Sequence, residues 1–381
     1  MNNIPQNKSQ DELQNTPQNT SRSAVRWVFN SAIAGTVVIA IAAMNLLNVS
    51  CTHKDDQNAP ATGAQNKAAT AIPVKVGLVL DKGGKDDKSF NSAAFRGATE
   101  ASKELGIDLK EVESPDDAAF EPALRTFAER GYPLVIAVGF SQTDAVKKVS
   151  AQFPAVHFAI VDGKVEGANV SSLLFAEHEG SFLVGYLAGL MTKTAKVGFI
   201  GGMDIPLIRR FEMGYEAGVK AANPKAEVIV NYAGVNSSAW ANPSRGKEIA
   251  LSQYGRGADI IFHAAGATGM GLFDAAEEKK AYAIGVDSNQ NGVKPGRIVT
   301  SMLKRVDNAV NNIIHEQVAG TFKAGNRDFG LKDKGVDYAV DENNEKLIAP
   351  YRAALEDVRA KIIKGEIKVP DYYETSKKPG Q

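Results

Sequence analysis

Val76-Gly-Leu-Val-Leu80 runs straight into Asp81-Lys-Gly-Gly-Lys-Asp-Asp-Lys-Ser-Phe-Asn91, and a helix-like stretch follows. The uncharged run reads as a buried strand, and the polar, glycine-bearing loop after it closes on one Phe and one Asn. In open α/β sheets ligands sit beyond the carboxyl ends of strands, where loop side chains and helix N-termini converge. This order therefore places Asp81, Ser89, Phe90 and Asn91 at one pocket. Of the loop's charges only Asp81 is assigned to it; Lys82 to Lys88 are expected to form a solvated rim.

Downstream, short apolar runs alternate with longer amphipathic segments, the pattern of βα units around a parallel sheet. Strands are expected at Lys75 to Leu80, Leu109 to Val112, Leu134 to Val138, His157 to Val161, Val170 to Phe175, Val197 to Ile200, Val228 to Tyr232, Ile260 to His263, Tyr282 to Val286 and Ile298 to Met302. So many strands exceed one small domain, and the expected α/β architecture is two similar lobes with a cleft between them. Gly180, Gly185 and Gly189 lie in an apolar run too short to span a bilayer, so their spacing reads as a helix seated closely on a sheet.

The chain has 381 residues with 44 basic and 44 acidic side chains, a balance that gives no broad attraction to nucleic acid. Its single cysteine, Cys51, rules out an intramolecular disulfide and a cysteine-built metal site. Residues 1–22, rich in Asn, Gln and Ser, read as a disordered extension. Residues 23–51 read as an export leader: Arg22 and Arg26 precede an uncharged stretch from Ser31 to Leu47, and Leu47-Asn48-Val49-Ser50-Cys51 resembles a bacterial lipoprotein cleavage box, with Asn48 where Leu is expected. Cys51 is thus the expected lipidation site, the alternative being an uncleaved signal anchor. Residues 52–72 read as a flexible polar tether.

Three apolar strands end in Asp: Asp81, Asp162 and Asp287. Such carboxylates accept hydrogen bonds from vicinal hydroxyls, although a lone Asp after a strand more often caps a turn. Phe90 and Trp240 both fall on strand-to-helix connections and supply flat apolar faces for a ring, at about 1–3 kcal/mol per stacked base. Trp240 has the alternative of anchoring its own loop. Asn91 carries a donor and an acceptor suited to a heterocycle edge. Lys304 either balances Asp287 and donates to a ligand or is a solvated lysine at a helix start. The glycine-rich segments at Gly198 and Ala264 match no dinucleotide fingerprint and no Walker loop. His157 and His263 read as core histidines, and His178, between Glu177 and Glu179, has no nucleophile near it in sequence. The reading is therefore of a protein that is not an enzyme and has no cofactor or metal.

Asp81 to Asn91, Phe158-Ala-Ile-Val-Asp-Gly163, Glu179-Gly-Ser-Phe-Leu-Val-Gly-Tyr-Leu-Ala-Gly189, Val197-Gly-Phe-Ile-Gly-Gly202, Ala258-Asp-Ile-Ile-Phe262, Ala264-Ala-Gly-Ala-Thr-Gly269 and Ile284-Gly-Val-Asp-Ser288 together resemble the basic membrane protein family of bacterial lipoproteins, which includes purine nucleoside receptors of ABC transporters. The resemblance implies a type I periplasmic-binding-protein fold, two Rossmann-like lobes with a hinge and a central ligand cleft. It also implies a base stacked between aromatic side chains and a ribose held by carboxylates and a lysine. Phe90 and Asn91 match the base-binding pair and Asp81 begins the same loop. Asp162 matches the Asp of the Asp-Gly motif, Asp287 that of Gly-Val-Asp, Gly266 the glycine of Ala-Ala-Gly, and Lys304 the lysine after Thr-Ser-Met. Among Phe175, Phe211, Trp240 and Phe262, Trp240 is taken as the second stacking ring.

The expected lobes are 73–175 with 305–320 and 176–304 with 321–350, followed by a C-terminal helix and tail at 351–381. The expected function is a monomeric, lipid-anchored receptor, facing the periplasm or cell exterior, that captures a nucleoside and delivers it to an ABC permease. A sugar or autoinducer-like ligand, an adhesin with an empty cleft and a nucleoside-processing enzyme are the alternatives.

Overall fold

The computed structural model describes residues 73–376. The expectations for the leader, Cys51 and the tether lie outside the described residues. Element order is β1 (Lys75–Leu80), α1 (Phe90–Leu105), β2 (Asp108–Glu113), α2 (Phe120–Glu129), β3 (Leu134–Val138), α3 (Thr143–Gln152), β4 (His157–Val161), β5 (Val170–Phe175), α4 (Glu177–Met191), β6 (Lys196–Met203), α5 (Pro206–Ala222), β7 (Glu227–Gly234), α6 (Pro243–Gly255), β8 (Ile260–Ala264), α7 (Met270–Lys279), β9 (Tyr282–Asp287), β10 (Ile298–Lys304), α8 (Val306–Val318), β11 (Gly325–Phe329), β12 (Val336–Tyr338), α9 (Glu345–Ile348), α10 (Arg352–Ile363) and α11 (Tyr372–Thr375).

Two six-stranded sheets result, in the orders β11-β5-β4-β3-β1-β2 and β12-β10-β9-β8-β6-β7. A central parallel strand is covered on both faces by helices, so it is apolar along its length rather than alternating. Leu134 to Val138 is buried at every position, as is β1 after Lys75. The sheets share one plan, each strand of the first having a counterpart in the second. In both, the chain reverses direction of growth beside the first strand, between β1 and β3 and between β6 and β8, the place where such sheets leave a crevice.

Three connections pass between the lobes: β5 to α4, β10 to α8, and β11 to β12. The last corrects an expectation. Residues 321–350 are expected in the second lobe, yet Gly325–Phe329 pairs in parallel with β5, Arg327 opposite Leu173, and extends the first sheet. Gly-Asn-Arg-Asp-Phe has no apolar run because it is an edge strand with one neighbour, so hydrophobic patterning cannot reveal it. Only β12 joins the second sheet, antiparallel to β10.

The glycines of α4 also differ in part from expectation. Gly180 does face the sheet, where an added Cβ would meet Met302 at 2.6 Å, but Gly185 and Gly189 face α5, with the carbonyl oxygens of Tyr215 and Val219 at 2.2 and 2.7 Å from such a Cβ. Their absence of side chains brings two helix backbones together. Among the described residues no helix is long and apolar enough to cross a membrane.

Candidate functional site

The loop after β1 is organised by Asp87. Its carboxylate accepts hydrogen bonds from the backbone N–H groups of Ser89 (2.8 Å), Asn91 (2.9 Å) and Ser92 (3.0 Å), satisfying the free donors at the start of α1. Asp87 is buried, so the expected solvated rim does not include it. Lys82 leaves the rim too: its Nζ donates to Ser237 Oγ at 2.5 Å, in the opposite lobe.

Asn91 is buried at the same loop, but its amide is already used. Oδ1 accepts from the Asp81 N–H at 2.9 Å, and Nδ2 donates to the Lys82 carbonyl and to Asp87 at 3.1 and 3.0 Å. Both amide N–H groups are committed to the loop, so Asn91 has no donor left for a heterocycle edge, while Oδ1 keeps a second acceptor site and the residue lines the cavity. Asp81 accepts from the Lys82 N–H and Ser141 Oγ at 2.7 and 2.5 Å; burial nonetheless raises its pKa above the usual carboxylate range.

A cavity of about 570 Å³, counted with its open mouth, lies between the carboxyl edges of the two sheets. Asp81, Phe90, Asn91, Asp162, Trp240, Gly266, Asp287 and Lys304 all line it. Ser89 does not; fully buried, it donates from Oγ to Asp287 Oδ2 at 2.6 Å and so acts on the cavity through that carboxylate. Gly266 has a left-handed backbone, φ +56°, and a Cβ there would meet the Trp240 carbonyl at 3.2 Å.

The floor is charged. Lys304 Nζ lies 2.6 Å from Asp162 Oδ2 and 3.0 Å from Glu177 Oε1, and within 5.5 Å of the ring centres of Phe90, Phe175 and Phe211. Burial alone would lower its pKa, but Asp162, Glu177 and Asp287 outweigh that and hold the ammonium charged. Lys304 is therefore no solvated helix-start lysine. Burial pushes Asp162 up to about 6 and Asp287 to about 7, against the opposing pull of Lys304. Both occupy left-handed backbone, at φ 65° and 62°, a conformation uncommon outside glycine though less so for Asp. Asp162 Oδ1 is buried with no hydrogen-bond partner among the described residues.

The walls are aromatic. Phe90 and Phe140 come from the first lobe, Phe211 and Trp240 from the second, with Phe140 and Trp240 meeting edge to face at 6.3 Å and 75°. Phe175 and Phe262, the other considered rings, are core residues. Sequence reasoning missed Phe140 because β3 ends without an Asp; the crevice beside β1 was the signal that could have found it. Glu177 and Arg210 were missed as well. Arg210 Nη1 donates to Glu177 Oε2, behind the ammonium. His263 fits its core reading, since burial lowers its pKa to about 4 and keeps it neutral.

Residues 74–372 match the family described as ABC transporter substrate-binding protein, PnrA-like. A CD4+ T-cell-stimulating antigen of Listeria innocua is 38% identical over 319 residues, covering 78% of this chain and 88% of its own. A protein of Lactococcus lactis subsp. cremoris named ABC transporter nucleoside-binding protein BmpA is 32% identical over 360 residues, 87% of this chain and 98% of that one. Among solved structures, an ABC transporter solute-binding protein from Aeropyrum pernix K1 superposes with a TM-score of 0.72 at 30% identity, covering 80% of this chain and 95% of that one. On sequence and fold together, the chain belongs to the Bmp family of ABC transporter substrate-binding proteins.

Proposed function

We propose that the cleft captures a nucleoside, specifically a purine nucleoside, and that the protein, a monomer held at the membrane by a lipid on Cys51, hands it to an ABC permease. The observation that carries this reading is the division of the cavity into an aromatic part and a charged floor, with Asp162 Oδ1 buried and unpaired. A planar base fits between Phe90 and the second-lobe rings. Ribose hydroxyls are donors, and they satisfy the acceptors that Lys304 leaves open on Asp162 and Asp287. The name carried by the Lactococcus lactis relative supports the same ligand class.

Capture works by closure. Because ligand touches both lobes, it binds the closed state better than the open one and shifts the population toward it. Nothing in this mechanism turns the ligand over, so inosine is expected to survive incubation with the protein unchanged.

Titration calorimetry with adenosine, guanosine, inosine and ribose is the test. Heat with at least one purine nucleoside, and far weaker binding of ribose, is expected. Ribose binding as tightly as every nucleoside, undiminished in Phe90→Leu, would replace the proposed ligand by a sugar. For the anchor, Cys51→Ser is expected to move the protein out of the membrane fraction.

A further inference from the structure

Behind the floor of the cleft the charges continue to the C-terminal segment. Helix α10 ends at Ile363, Gly365 turns the chain at φ 74°, and Asp371 is brought onto α5. There its two carboxylate oxygens accept from Arg210 Nε and Nη2 at 2.8 and 2.9 Å, a bidentate fork. The Tyr373 ring lies 4.7 Å from the same guanidinium. Arg210 turns its remaining nitrogen, Nη1, to the Phe175 carbonyl at 2.6 Å and to Glu177 Oε2. Glu177 Oε1 then meets Lys304 Nζ, which meets Asp162.

The result is a line of alternating charge, Asp371, Arg210, Glu177, Lys304, Asp162, that begins on the tail and ends at the cavity. Phe175 and Glu177 flank the first connection between the lobes, so Arg210 grips a hinge strand as well as a carboxylate. His178 Nδ1 accepts from Arg210 Nη2 at 3.1 Å and completes the surroundings of the guanidinium.

We propose that Asp371 is a positioning residue for ligand binding: by orienting Arg210 it fixes the Phe175–Glu177 connection and, through Glu177, the place of the Lys304 ammonium at the cleft floor. A guanidinium does not lose its proton, so a buried Arg210 without Asp371 must find other acceptors. Besides His178 Nδ1, the acceptors within reach are Glu177 and the hinge carbonyl it already holds. Any redistribution there alters the sharing of Glu177 between Arg210 and Lys304. The inference rests on the cleft being the ligand site described above.

The test uses the full chain with Asp371→Ala, Asp371→Asn and Asp371→Glu. Hydrogen exchange without ligand is followed at 174–179 and at 371–376, and each protein is titrated with adenosine, guanosine and inosine. Asp371→Ala is expected to speed exchange at 174–179 about tenfold and to weaken whichever nucleoside the parent binds about tenfold, a size usual for coupled network members. Asp371→Glu restores both. If Asp371→Ala loses its fold, Asp371→Asn, of nearly the same shape, takes its place in both measurements. Faster exchange confined to 371–376, with hinge exchange and affinity within about twofold of the parent, overturns the proposal and leaves Asp371 as a tail fastener. If the parent binds none of the three nucleosides, the nucleoside reading fails, while the exchange comparison still decides the relay.

Discussion

Asp287 concentrates the conflict between stability and binding in one side chain. Its pKa is raised from 3.8 to about 7, chiefly by burial, with Asp162 and Asp87 adding to it against Lys304 and Ser89. A raised folded-state pKa contributes stability that is complete below the unfolded value and is lost as pH rises through the folded one. The ligand-free protein therefore loses this contribution between about pH 4 and pH 7. Asp287→Asn removes the charge, can still accept from Ser89 and tolerates the left-handed backbone. Urea unfolding at pH 8 is expected to show the variant more stable by about 1–3 kcal/mol, with the gap closing toward low pH, while nucleoside affinity falls. Phe90→Leu tests the opposite wall: loss of a stacking face is expected to cost about 1–3 kcal/mol of nucleoside affinity and none for ribose, read by calorimetry. The identity of these residues was legible because an apolar strand ending in Asp is a local pattern. The engagement of both Asn91 amide N–H groups was not, since their partners are fixed by loop geometry rather than by sequence order.

Between α4 and α5, glycine sets the helix separation. Gly185→Ala puts a methyl 2.2 Å from the Tyr215 carbonyl, and backbone on both sides leaves it nowhere to go. A loss of about 1–3 kcal/mol is expected in denaturant unfolding. Gly255, the last residue of α6, has nothing within 4 Å of its would-be Cβ and no left-handed φ, so Gly255→Ala is expected to be neutral or to stabilise by up to about 1 kcal/mol. The pair separates helix propensity from close approach. Elements with strong apolar runs, such as β1, β3 and β9, were readable as strands from composition alone. β11 was not: its pairing with β5 comes from the third interlobe connection, a tertiary arrangement that five mostly polar residues do not announce.

Across residues 73–376 the two lobes touch directly as well as through any ligand, at Ser89 with Asp287, Ser288 with the Ser89 carbonyl, and Lys82 with Ser237. Lys82 and Ser237 bridge the lobes beside the cavity, so Lys82→Ala is expected to raise the nucleoside dissociation rate about three- to tenfold with little change in association, in stopped-flow fluorescence. Ligand at about a hundred times its Kd is expected to add about 2.7 kcal/mol to stability, visible as a thermal shift that grows with concentration. Asp162, directly after β4, and Asp287, at the end of the equivalent β9, share one backbone conformation, so each half of the cavity carries a carboxylate at its edge. The neighbouring strands end in unlike residues, Phe175 on β5 and Lys304 on β10. The two sheets therefore differ at that point, by a buried ammonium in one and a phenyl ring in the other, and under the proposed function this difference is expected to set which way round a ligand lies.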